Sequence, residues 1–580
     1  MKAITTLALS VLCTVSLHGQ WLSYGTLVSD TNTHFDWPRV APDNHGGAYI
    51  VYQHMFFTEQ NPGQHIFVQR FSRDGRFAWT CGTGGIRIST GVSTNQWALI
   101  LSYRQYAFIV WNCGQDLRAQ KIDTAGTLLW GSGGVRVNLR RPGMSPSIAL
   151  DSCGGLFVAA YAEDPVVRGN PVWIQRLDSN GRRMWTDTGA TVSNRSDFVD
   201  PRVSGQVIVI CTPLQGSPLV AWTQRASTFA SEDRQTYVQR LDESGRPLWK
   251  HNGIPMTDIE DDWHSARKAL LMVEDGRGGA FIGWSIIDPW DPYWRHYHTM
   301  QHVDSIGTRI LGSEGRLMLS GSSHDWIGDG QSGLIMVSDD ALSPKGPSLM
   351  RIRHLNYDLE PLWGDSTGVT IANNRSLLVP VQRDNCWMSG DWPRGIFIIG
   401  ESKYREFIWA QYVDSAGRCL WGANGIQVTP MPTSYDGRMQ EYSDIATTAP
   451  GEAVVVWHDV RNGYGEHWTI QAAKLNRDGL VGVYALAAPG TASPSLQLRA
   501  PYPQNAGTMI SGETSGSGIL SLMIYDLQGR RMGPASEHLC DPGTFSFYLD
   551  TSGLSAGSYF IQAVQGGSTV SMPLLITGGR

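Results

Sequence analysis

A twelve-residue pattern recurs along the chain and limits what it can fold into. VQRFSRDGRFAW, AQKIDTAGTLLW, IQRLDSNGRRMW, VQRLDESGRPLW and AQYVDSAGRCLW are plain copies; MQHVDSIGTRIL, IRHLNYDLEPLW and AAKLNRDGLVGV are weaker ones. Anchored on its second residue, it falls at Gln69, Gln120, Gln175, Gln239, Gln301, Arg353, Gln411 and Ala473, spaced 51 to 64 residues apart. A unit of that length buries its apolar surface by packing on its neighbours, so the period points to stacked or ring-forming units.

Each copy reads as a hairpin. A short alternating strand runs into Asp-x-x-Gly, as at Asp178 to Gly181. The Asp side chain can bond the backbone two residues on, and Gly supplies the left-handed conformation at the turn exit. The returning arm carries Trp79, Trp130, Trp185, Trp249, Trp363 or Trp421 in six copies, with Leu311 and Val483 in the other two. A large flat ring once per unit suits packing between neighbouring sheets. Upstream of each hairpin lies a strongly apolar run, such as GGAYIVY, GGLFVAAY or EAVVVW, that reads as a strand buried on both faces. A further short strand precedes several of these runs, giving about four strands per unit, the make-up of a propeller blade.

The ends of the repeat bear on closure. Most hairpins continue as Trp-x-x-x-Gly-x-x-apolar, as in Trp130, Gly134 and Val137, but the last unit, after Gly479, lacks this piece. Trp21, Gly25 and Val28 carry it alone near the start of the chain. The expectation is an all-β, eight-bladed β-propeller closed by an N-terminal strand that completes the last blade, over residues 20–486. Seven blades, or a split into two domains, are the rival arrangements.

Residues 1–19 read as a secretory signal peptide: Lys2, then the apolar AITTLALSVLCTVSL, with cleavage expected between Gly19 and Gln20. No later run is long and apolar enough to predict a transmembrane helix. The net charge of −6 argues against nucleic acid as a partner, since phosphate neutralisation needs a basic face. Beyond Cys13, seven cysteines remain without C-x-x-C spacing, so no zinc site is expected.

After Tyr484 the repeat stops. Residues 487–495 read as a linker, and 496–580 carry their own strand pattern in GILSLMIYDL, TFSFYLD, SYFIQAV and TVSMPLLI, which suggests a small Ig-like β-sandwich. The run YDLQGRRM, then LDTSGLSAGSYFIQA, then a closing apolar strand, resembles the C-terminal sorting domain of type IX secretion substrates. Gln504-Asn505 stands where that family usually has Asn-Pro. The resemblance implies passage through the periplasm, a partnership with the type IX machinery, and a secreted or cell-surface protein.

Catalytic patterns are missing. There is no H-E-x-x-H, Walker loop or EF-hand loop. The recurring Asp-x-x-Gly-x-x-x-Trp departs from the sialidase Asp box, and its acids read as turn formers. No catalytic residue, metal ligand or cofactor is therefore assigned. The longest inserts fall between the second and third strands of a unit, on one face. One of them holds Trp290, Tyr293, Trp294, His296, Tyr297 and His298, whose rings could stack on sugars or grip a partner, or simply cover the blade below. The acidic run Asp258, Glu260, Asp261 and Asp262 reads first as a solvated tip. The favoured expectation is a non-catalytic binding or adhesion module for a glycan or surface protein. A polysaccharide-active glycosidase or lyase, and a structural surface-layer component, are the alternatives; a pair of carboxylates about 5–10 Å apart at the axis would favour the enzyme.

Overall fold

The computed structural model describes most of residues 21–479 and 496–576. Outside the described residues lie 1–20, 480–495 and 577–580, the connections 57–62, 91–94, 139–145, 163–170, 195–206, 212–216, 226–233, 259–264, 288–295, 342–347, 374–380, 403–406, 430–439 and 461–467, and several shorter stretches. The described residues are strands and turns, with no helix among them. Between residues 26 and 476 they form eight four-stranded antiparallel sheets. Unit I consists of His34–Pro42, Ala48–Phe56, Gly63–Phe71 and Ile86–Arg87. Units II to VII repeat that meander at 95–136, 147–193, 207–255, 265–320, 323–373 and 381–427. Unit VIII takes three strands from 440–476 and its fourth from Thr26–Leu27. The first strands of successive units touch in cyclic order, and that of unit VIII touches that of unit I.

The recurring pattern explains why each unit folds this way. Asp178 Oδ1 accepts the N–H groups of Asn180 and Arg182, both at 2.8 Å, and Asp123, Asp242, Asp304 and Asp414 hold their turns alike. These acids are turn formers. The buried Gln then pins the returning arm. In Gln120, Gln175, Gln239, Gln301 and Gln411, Oε1 accepts the N–H ten residues on, and Nε2 donates to the carbonyl eleven residues on. A buried backbone group left unpaired costs about 1–3 kcal/mol, so one side chain that satisfies two is a strong local constraint.

The hairpin expectation needs one correction. The returning arm pairs at a single residue, as in Ile122 with Leu128 or Leu177 with Arg183, and the Trp lies two residues past it. The true fourth strand is the later piece, such as Val135–Arg136. Freed from the ladder, the Trp reaches the next unit. Nε1–H of Trp79, Trp130, Trp185, Trp363 and Trp421 donates to the carbonyl of Thr124, Ser179, Glu243, Ser415 and Arg477, at 2.8–3.2 Å. Each acceptor is the residue after the Asp or Asn that opens the next unit's turn. That turn's Gly lies against the ring: at Gly417, with φ 79°, an added Cβ would come within 2.8 Å of Trp363.

Trp21 makes the same bond. Its Nε1–H donates to Arg73 O of unit I at 3.0 Å, and its ring packs on Phe71 at 5.2 Å. Thr26–Leu27 pairs with Thr469–Asn476, Val28 N–H donates to Ile470 O at 2.9 Å, and Ile470 N–H donates to Ser29 Oγ at 3.0 Å. The segment carrying Trp21, Gly25 and Val28 thus supplies both the fourth strand of unit VIII and the Trp contact from unit VIII to unit I.

In the C-terminal part, Leu496–Arg499, Gly507–Thr514 and Gly543–Asp550 form one antiparallel sheet, and Ser536–Cys540, Gly518–Asp526, Gly557–Gln565 and Ser568–Ile576 another. Ile510 of the first packs with Leu520, Leu522, Ile561 and Leu574 of the second in one apolar core.

Candidate functional site

The first strands line the middle of the ring; six of them carry register shifts, and in three the shift holds a left-handed aromatic residue. The register slips between Asp36 and Arg39, between Gln96 and Leu99, and between Glu441 and Asp444. Each slip holds one aromatic residue in the left-handed region: Trp37 at φ 45°, Trp97 at 52° and Tyr442 at 54°. For residues with bulky side chains that conformation costs on the order of 1–3 kcal/mol each, and such strain gathers at functional positions. The three belong to units I, II and VIII, which are neighbours in the cycle. Their rings cluster, with Trp37 lying 5.8 Å from Trp97 and 5.9 Å from Tyr442. All three residues are half-buried.

A charged level adjoins the aromatics. Arg39, Asp325, Trp387 and Asp444 face Val51, Val337, Ile399 and Val456 of their second strands. Those residues in turn face Val68, Ile352, Ala410 and Ala472, each the residue before the Gln position. The four therefore stand at one height, in units I, VI, VII and VIII. The Arg39 guanidinium lies 5.9 Å from the Trp387 ring. Burial, with a smaller push from the Asp444 charge, raises Asp325 to about 7 against the lowering effect of the Met388 and Trp326 N–H groups. Burial also raises Asp444, while Arg39 opposes the rise.

Both acids hold strands together. Asp325 accepts Trp326 N–H and, from the next unit, Met388 N–H, both at 2.8 Å. Asp444 accepts Ile445 N–H at 3.0 Å and Val40 N–H across the closure at 2.9 Å. Ser389 Oγ similarly accepts Thr447 N–H at 2.7 Å. Every carboxylate oxygen of the two acids already receives a backbone donor. Among the described residues no three His, Cys, Asp or Glu side chains gather to hold a metal ion.

The aromatic insert expected from sequence is placed only in part. Trp290, Tyr293 and Trp294 lie outside the described residues. His296 and Tyr297 open the strand His296–Val303, opposite Ile287 and Ile286. His298 is buried, its ring edge-on to Trp326 at 5.4 Å. Of the acidic run, Asp258 pairs with Arg309 at 2.6 Å, and 260–262 lie outside the described residues. Sequence reasoning passed over Trp37, Trp97 and Tyr442. Their one shared signal is a polar residue followed by an aromatic at the start of a first strand: Asp36-Trp37, Gln96-Trp97, Glu441-Tyr442.

No family model matches the chain, and no curated protein matches it. Among solved structures it is similar to the Dos1 propeller, at 10% identity over 78% of this chain and 94% of that one, with a TM-score of 0.40. An α-L-arabinofuranosidase from Fusarium graminearum, in complex with an iminosugar inhibitor, is similar at 11% identity over 80% and 99%, with a TM-score of 0.33. A puromycin hydrolase is similar at 11% identity and a TM-score of 0.37; the match covers 85% of this chain and 62% of the hydrolase. At such identities these likenesses concern fold and carry no functional argument. The four-stranded meanders and the cyclic contact of their first strands make the chain a β-propeller protein.

Proposed function

We propose that the chain is an exported eight-bladed β-propeller that binds a glycan without turning it over, at the aromatic cluster of Trp37, Trp97 and Tyr442. The observation that carries this reading is the strained display of three half-buried rings side by side on the first strands. Aromatic faces stack on the apolar faces of sugars and lose little conformational freedom in doing so. The eight sheets and their cyclic contacts support the blade count. The insert from Asp288 to His298 leaves unit V beside the start of its first strand, since Ile287 faces Ser265. That is the end of the first strands at which the aromatic bulges lie, so Trp290, Tyr293 and Trp294 are proposed to extend the same surface.

For export, the reading rests on the apolar N-terminal segment and on the type IX resemblance of residues 496–580, with an Ig-like sorting domain handed to that machinery. Mass spectrometry of the termini after cell fractionation tests it; a C-terminus kept intact in the periplasm contradicts it.

A second reading is polysaccharide cleavage. It is favoured by one observation: Asp325, raised to about 7, shares a level with Asp444. A group titrating near neutrality suits general acid catalysis. Incubating the full chain with a polysaccharide panel separates the two. Retention of a polysaccharide with no new reducing ends supports binding, and accumulation of new ends that stops in Asp325→Asn supports cleavage.

A further inference from the structure

In most units the repeat places a cation after the Gln position and an acid in or beside the turn between first and second strands. Arg70 pairs with Asp43 at 2.8 Å, Arg176 with Asp151 at 2.9 Å, His302 with Asp275 at 3.0 Å, His354 with Asp329 at 2.9 Å and Lys474 with Glu452 at 2.6 Å. In unit VII a Tyr412 hydroxyl donates to Asp391 at 2.9 Å. Units II and IV break the rule: unit IV has no acid between Cys211 and Pro218, and its buried Arg240 donates instead to Gly278 O at 3.0 Å and Ser305 O at 2.9 Å. In unit II the turn is Tyr103-Arg104-Gln105-Tyr106, with no acid, and the cation is Lys121.

Lys121 is only 7% exposed, and no described carboxylate pairs with it. Nζ donates to Ser179 O at 3.1 Å and lies 4.2 Å from the Tyr106 ring and 5.3 Å from that of Phe108. Burial lowers its pKa, against the partly offsetting charge of Asp178. Where units I, III, V, VI, VII and VIII hold their acid, unit II opens a cavity of about 570 Å³ between units II and III. Its lining includes Tyr103, Arg104, Tyr106, Lys121, Cys153 and Asn180. Arg104 is exposed, its guanidinium 5.1 Å from the Tyr103 ring. A volume of that size holds one or two sugar rings.

We propose that this cavity binds an acidic sugar residue, whose carboxylate takes the place of the missing turn acid against Lys121 and whose ring lies between Tyr103 and Tyr106. A buried ammonium is stabilised by an anionic partner, and the repeat has already shaped the place for one. The site lies on the tight-turn face, away from the aromatic bulges of the first strands, and stands independently of the function proposed for them.

The test is calorimetric titration of the full chain with glucuronate, with glucose as the neutral control and inorganic sulfate as the bare anion. The expected result is glucuronate binding at millimolar concentration or tighter, no glucose binding, and weaker sulfate binding. Lys121→Met keeps the aliphatic packing and is expected to weaken glucuronate at least about tenfold, the value of one charge-assisted hydrogen bond. Should Lys121→Met fail to fold, as read by its thermal melt, the exposed Arg104→Ala is expected to weaken binding in its place. Absence of glucuronate binding overturns the proposal, as does binding unchanged in Arg104→Ala and in a folded Lys121→Met. Sulfate binding as tightly as glucuronate overturns the sugar assignment. Binding abolished by Trp37→Ala would assign the uronate to the axial aromatics and also overturn it.

Discussion

Gln239 shows how much a single recurring side chain does. Its amide takes both the Trp249 N–H and the Lys250 carbonyl, groups that no strand partner satisfies once the ladder ends at Leu241 and Pro247. Gln239→Leu keeps the volume and removes both bonds, and is expected to cost about 1–3 kcal/mol in urea unfolding. Gly417 and Gly422 share a left-handed backbone, at φ 79° and 77°, but only Gly417 lies against a Trp. Alanine at either position strains the backbone. Gly417→Ala must also displace Trp363, so it is expected to cost about 1–2 kcal/mol more than Gly422→Ala in the same measurement. Asp325 gives a pH signature. With its folded pKa raised to about 7, above that of the unfolded chain, the folded state holds the proton more tightly. Its contribution to stability is full below about pH 4 and declines as pH rises toward 7. Thermal melts between pH 4 and 7 should show that decline flattened in Asp325→Asn; equal slopes in the two proteins would contradict it.

At the scale of elements, the N-terminal strand joins the two ends of the repeat region. Trp21 is buried and makes the contact that Trp421 makes one unit earlier. Trp21→Ala is expected to destabilise by about 3–5 kcal/mol, and half-buried Trp185→Ala by less, as read by denaturant midpoints. The sheets were legible because Gln, Asp, Gly and Trp each satisfy a backbone need at a fixed offset along the chain, and their order survives variation around them. The missing fourth strand was legible for the same reason: Trp21, Gly25 and Val28 match the pattern that unit VIII lacks. The first-strand bulges were not. Their shape depends on partners far away in sequence, as when Asp444 takes the Val40 N–H 404 residues distant. The aromatic insert drew notice in their place because loop aromatics stand out in a one-dimensional reading, whereas Trp37 and Trp97 look like ordinary strand residues.

At the scale of the whole molecule, the two sets of turns face opposite ways. The Asp-held turns and the Lys121 cavity lie on one face; the aromatic bulges lie toward the other. A ring held by Trp contacts between units keeps both faces in register, which allows binding on one without loss of the other. The central claim is that the bulged rings bind a glycan that leaves unchanged. The direct measurement is calorimetric titration of the full chain with the polysaccharide it retains best, alongside the double variant Trp37→Ala/Trp97→Ala. The expected result is about a hundredfold or greater loss of affinity in the double variant, from two stacking contacts of roughly 1.5 kcal/mol each, and polysaccharide recovered at full length from the native chain. Equal affinity in the two proteins, or shortened polysaccharide after contact with the native chain, would contradict it.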